Sequence, residues 1–199
     1  MRLGYTNVRH FAWGYQGWLA EVDPARAETI LPEAPVEGER FPECRLALLQ
    51  PAKDCAYLGL APKTQVVRLA DIPTEYLLLL VYNEMCGLCM AELPNMNSLA
   101  ELTEQDGTLS TRLKMLGLAM GSTKRAVARM RKEKGFQLLL LADEKWQLFE
   151  QLGRPLLPVF YLLKKDPAAG LLIRWRHIGS IGDPTSFVGL LQELTSPQS

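Results

Sequence analysis

The sequence predicts an α/β fold, a central mixed sheet with helices on both faces, and three observations carry that prediction. Tyr76–Tyr82 and Leu113–Met120 are apolar runs without alternation, the pattern of strands buried on both faces. Stretches of helical length separate the strands, one following Tyr82 and running through Glu104, another, polar and basic, over Ser122–Lys134. Further on, Val159–Lys164 and Leu171–Ile178 flank Asp166-Pro167-Ala168-Ala169-Gly170, which reads as a hairpin loop. Parallel strand–helix–strand units followed by a hairpin and a helix build one layered sheet.

Taken in order, Gly4–Ala20 reads as a short strand and an amphipathic helix carrying Trp13, Tyr15 and Trp18, a helical appendage to the main domain. Asp23–Pro42 holds Pro24, Pro32, Pro35 and Pro42 with acids between them, which suits an exposed extended connector. Residues 1–35 are therefore assigned to an appendage and linker, and 36–199 to the α/β domain. Arg45–Leu49, Tyr57–Leu60 and Gln65–Leu69 are β-like pieces of an N-terminal hairpin region. After Tyr76–Tyr82, the helix through Glu104 is interrupted near Pro94. Gln137–Ala142 is the next strand, and Asp143 is placed to cap a helix over Glu144–Leu152. Asp183 and Pro184 open the last helix, Thr185–Leu194, as N-cap and first helical residue.

Composition narrows the function classes. The 199 residues are 48% hydrophobic and 22% charged, enough to bury a sizeable core. Twenty-two basic residues balance twenty-two acidic ones, so no net field recruits nucleic acid or a membrane surface. The longest apolar runs are far short of the roughly 20 residues that span a bilayer. Met1–Ala20 mixes Arg2, Arg9, His10 and Gln16 into its apolar residues and offers no export signal. As written the chain reads as cytoplasmic, and as periplasmic if its N-terminus is truncated. Four cysteines in this length do not make a disulfide scaffold.

Two of those cysteines carry the chemistry. Cys86-Gly87-Leu88-Cys89 follows a buried strand and opens a helix. A helix N-terminus offers unpaired N–H groups and a positive dipole end, which favour a thiolate. Cys86 is then the exposed nucleophile and Cys89 the thiol that resolves a mixed disulfide. A C-x-x-C near a β-α-β pattern is the signature of a redox site. Two other readings stand beside it: a zinc site completed by Cys44 and Cys55, whose spacing of eleven does not repeat the short one, and an inert pair.

Tyr76–Leu194 resembles the thioredoxin-like superfamily, and within it the TlpA-like thiol-disulfide oxidoreductases. Cys86 to Pro94 is similar to that branch's C-x-x-C followed by Glu92 and Pro94, and Leu157-Pro158-Val159-Phe160 to the family's cis-proline loop. The resemblance implies a dithiol enzyme without a cofactor, since the electrons reside in Cys86 and Cys89. Its partners would be protein thiols and disulfides, with an upstream electron donor. Leu157 and Pro158 would shape the substrate groove, and Glu92 is the candidate for proton transfer, against an ordinary solvated helix residue. Pro158 also reads as a plain strand-entry proline. The sequence departs from the family at Met85, where an aromatic is common, and at Leu80, where thioredoxin has a buried acid. Leu88 carries no charge that would lower the Cys86 pKa, which argues against a strongly oxidising poise. Asn83, three residues before Cys86, departs from the approach to a peroxidatic cysteine. The rival class is a thioredoxin-like binding module that holds zinc or copper through the cysteine pair, or docks a partner.

Outside the motif, Cys44 and Cys55 read equally as a second disulfide or as free buried thiols. Lys124, Arg125, Arg129, Arg131, Lys132 and Lys134 read as a solvated helix face, and His177 supports no catalytic role. Gly4-Tyr5-Thr6-Asn7-Val8 with Phe11, Gly14 and Trp18 resembles the end of a rhodanese domain without its catalytic loop. The segment is then a remnant, the tail of a longer fusion, or a chance amphipathic helix. Its aromatic surface calls for an apolar patch to cover, on this domain or on a second copy in a homodimer.

Overall fold

Leucine and valine stacked between two aromatics give Tyr76–Tyr82 no polar side, and all seven residues are buried in the middle of the sheet. The computed structural model describes residues 35–196. A small pair comes first: β1 (Arg45–Ala47), α1 (Pro51–Leu58) and β2 (Val66–Arg68), with a 3-10 turn over Leu69–Asp71. The main body follows as β3 (Tyr76–Tyr82), α2 (Gly87–Ala91), α3 (Leu93–Gln105), α4 (Leu109–Arg112), β4 (Leu113–Met120) and α5 (Lys124–Lys134). It closes with β5 (Leu139–Asp143), α6 (Gln147–Gln151), β6 (Val159–Asp166), β7 (Gly170–Ile178) and α7 (Pro184–Thr195).

The sheet order is β5-β4-β3-β6-β7. β3, β4 and β5 are parallel, and β6 and β7 run antiparallel, which is the mixed sheet expected. Alternation along β3 sorts its side chains into two cores. Leu77, Leu79 and Val81 pack with residues of β1, α1, β2 and α6; Tyr76, Leu78, Leu80 and Tyr82 pack with α2, α3, α5 and α7. Helices thus cover both faces, as the unpatterned apolar strand requires.

Three expectations need correction. Tyr57–Leu60 is no strand: Pro51 starts α1, whose buried Asp54, Cys55 and Leu58 follow helical spacing, and Gly59 ends it in the left-handed region. β1 and β2 pair antiparallel across that helix, so the region is not a hairpin with three β pieces. The end of the connector is not exposed throughout. Gly38 and Phe41 donate to the carbonyls of Ile173 and Leu171 on the β7 edge, and Phe41 is buried. Asp143 does cap, but α6 begins at Gln147: its carboxylate accepts the N–H groups of Gln147, Leu148 and Phe149 at 2.9–3.1 Å. The expected strand and helix of Gly4–Ala20, and the rhodanese-like residues with them, lie outside the described residues.

Candidate active site

The site forms where β3 gives way to α2, and Asn83 makes the turn. Its Oδ1 accepts the Met85 N–H at 2.8 Å, an Asx turn, while its Nδ2 donates to the Met120 carbonyl at 2.6 Å. One side chain thus ties the cysteine loop to the end of β4. The Cys86 N–H donates to the Asn83 carbonyl at 3.1 Å, which sets Cys86 as N-cap of α2. Its sulfur does what a capping oxygen does elsewhere: Sγ accepts the Cys89 N–H at 3.2 Å. The same thiol faces the Leu157 carbonyl at 3.8 Å, across 71 residues of sequence.

The two cysteines differ in environment. Cys86 is half-buried, flanked by Met85 and Leu88 at 88% and 72% exposure; Cys89 is 3% exposed. Burial pushes the Cys89 thiol above its ordinary range, and the hydrogen bond it shares with the Cys86 sulfur adds to the rise. A buried thiol thus stands one turn behind a half-buried one.

Glu92 is not a solvated helix residue. It is 4% exposed, at the junction where Pro94 forces α2 and α3 apart, and its Oε1 accepts the Ile181 N–H at 2.9 Å. Leu157–Pro158 is a cis peptide; Pro158 is buried and its carbonyl accepts the Gly179 N–H at 2.8 Å. Cys86, Cys89 and Leu157 therefore meet, while Glu92 anchors the loop after β7 to the same helix junction. Sequence reasoning read Asn83 only as a departure from the approach to a peroxidatic cysteine, although a lone Asn between a buried strand and a helix-opening cysteine is a legible turn signal.

The remaining candidates stand apart from the pair. Cys44 and Cys55 are free thiols. Cys55 is buried with its S–H toward the Thr64 carbonyl at 3.5 Å; Cys44 is pushed up to about 12 by burial and by the charge of Asp143. Among the described residues no three His, Cys, Asp or Glu side chains come together as metal ligands. The same residues contain no helix long and apolar enough to cross a membrane. His177 stacks on Trp175, with ring centroids 5.5 Å apart, and its Nε2 lies 2.7 Å from the Ser180 carbonyl.

No family model matches this sequence, and no curated protein does. Solved structures do. A protein assigned as the thiol:disulfide interchange protein DsbE of Chlorobium tepidum superposes with a TM-score of 0.58 at 17% identity, covering 80% of this chain and 98% of its own. The thioredoxin domain of a thiol-disulfide oxidoreductase from Bacteroides vulgatus gives 0.56 at 13% identity, over 78% and 98%. The peroxidoxin BcpB of Mycobacterium tuberculosis gives 0.56 at 16%, over 82% and 99%. With its sheet order, its helix-capping cysteine and these neighbours, the chain has the thioredoxin-like fold.

Proposed function

We propose that the protein is a thiol-disulfide oxidoreductase that reduces or exchanges disulfides of protein partners through Cys86 and Cys89. The observation that carries the reading is the asymmetric pair: Cys86 Sγ caps α2 with its partner buried one turn behind it. The Cys86 thiolate attacks one sulfur of a substrate disulfide, forming a mixed disulfide and expelling the other sulfur as a thiolate. Cys89 then loses its proton and attacks Cys86 Sγ. The Cys86–Cys89 disulfide forms, and the second substrate sulfur leaves as a thiol. Two electrons pass from the dithiol to the substrate, and an external dithiol donor restores the pair. Glu92, buried and three residues beyond Cys89, is the carboxylate assigned to receive the Cys89 proton. The Leu157 carbonyl borders the Cys86 sulfur, and with the following Pro158 it is assigned as the edge along which an extended substrate lies.

Turnover of a protein disulfide with a dithiol donor tests the proposal. The wild-type chain should catalyse reduction, and Cys86→Ser should abolish it. Unchanged turnover in Cys86→Ser would reject the assignment.

A further inference from the structure

At the far end of the sheet lies a cavity of about 310 Å³ that the redox chemistry does not use. Leu113, Lys114 and Met115 of β4 line it, in register with Tyr76–Leu78, whereas the cysteine loop follows Tyr82, opposite Ala119. Four to six strand positions separate the two, roughly 13–20 Å. The cavity exists because β5 starts late: its pairing with β4 begins at Leu116, so Met115 has no strand partner on that side. The Tyr57 hydroxyl substitutes for one, accepting the Met115 N–H at 3.0 Å and donating to its carbonyl at 3.3 Å.

The charges on this wall are unbalanced. Lys53, Lys114 and Arg131 face Asp54 and Glu104, three cations against two carboxylates. Asp54 is 2% exposed and its Oδ2 is already engaged by the Gln50 N–H at 2.7 Å. Its Oδ1 stays 4.0 Å from Arg131 Nη1, too long for a hydrogen bond, and that Nη1 is buried without any acceptor. Arg131 Nη1 thus keeps a long ion pair with Asp54 but no hydrogen-bond acceptor, which is costly for a buried guanidinium nitrogen, and its planar fork matches a carboxylate. Lys114 Nζ, 5.0 Å above the Tyr57 ring, brings a second cation beside a flat apolar surface.

We propose that this cavity binds a small organic anion, a carboxylate with a flat apolar body, which Arg131, Lys53 and Lys114 hold by charge while Tyr57 and Met115 pack its body. The volume suits such a ligand.

The test titrates the full chain with benzoate and, separately, with inorganic phosphate at constant ionic strength, followed by amide and guanidinium NMR signals. Benzoate should shift Met115, Leu139 and Arg131 saturably and bind more tightly than phosphate. Arg131→Met should weaken binding roughly tenfold or more, as expected for loss of a charged hydrogen-bond partner. Lys53→Met, at an exposed position that leaves the fold intact, should weaken it by a smaller factor. Cys86→Ser should bind benzoate as the wild type does, which separates this site from the redox reading. Shifts no larger than those of chloride, tighter binding of phosphate than of benzoate, or full affinity in both cavity variants would overturn the proposal.

Discussion

Cys86 and Cys89 are one helical turn apart, yet Cys89 is buried and Cys86 only half-buried. With limiting iodoacetamide near neutral pH, Cys86 should be alkylated well before Cys89, as read by peptide mass spectrometry; preferential labelling of Cys89 would reverse the roles. Cys44 makes a separate statement about stability. An unfolded thiol titrates near about 8.5, and the folded Cys44 at about 12. The native state holds the proton longer, so this contribution is complete below the unfolded value and is lost as pH rises toward the folded one. Denaturation midpoints should therefore fall as pH rises from about 8.5 toward 12, and Cys44→Ala should flatten that slope. Glu92 adds a third residue-scale expectation. Glu92→Ala leaves the Ile181 N–H without its acceptor and should cost about 1–3 kcal/mol in chemical denaturation. Glu92→Gln keeps an oxygen for that bond but not the proton acceptor, so it should slow resolution of the mixed disulfide while sparing most of the stability.

At the scale of elements, legibility followed locality. The strands of the sheet, the break at Pro94 and the Asp183 cap could be read because each signal lies within a few neighbouring residues: an apolar run, an imino ring, a side chain reaching the Ser186 N–H. Tyr57–Leu60 failed because a short apolar run has no period of its own, and α1 declares itself only through Pro51 and the spacing of Asp54, Cys55 and Leu58. The burial of Glu92 was illegible for a different reason: its partner Ile181 is 89 residues away. Gly121 shows how tightly the elements around the site close. It adopts φ +66°, and a side chain there would run into the Trp146 ring, so Gly121→Ala should destabilise the fold. Asp143 is the stronger test of an element boundary. Its carboxylate satisfies three N–H groups at the start of α6, and Asp143→Ala should cost about 1–2 kcal/mol in denaturant melts. An unchanged midpoint would mean that α6 does not depend on this cap.

Across the whole molecule, the site is a meeting of distant segments: the end of β3, the end of β4 through Asn83, the Leu157–Pro158 loop and the chain after β7. Residues 1–20 contain no cysteine, and Cys86, Cys89 and every strand of the five-stranded sheet come later in the sequence, so deleting residues 1–20 should leave dithiol-dependent turnover intact. Leu88 supplies no charge to the pair, and equilibration with glutathione should place the couple nearer the reducing end of the roughly 150 mV span between reductant and oxidant members of the class. The central claim is that Cys86 attacks and Cys89 resolves. Its most direct test is to mix Cys89→Ser and Cys86→Ser separately with a disulfide-bonded protein substrate and to quantify adducts by non-reducing mass spectrometry. Cys89→Ser should accumulate a mixed disulfide mapped to Cys86, and Cys86→Ser should accumulate none. An adduct on Cys89 in the Cys86→Ser chain, with none on Cys86 in the other, would contradict it.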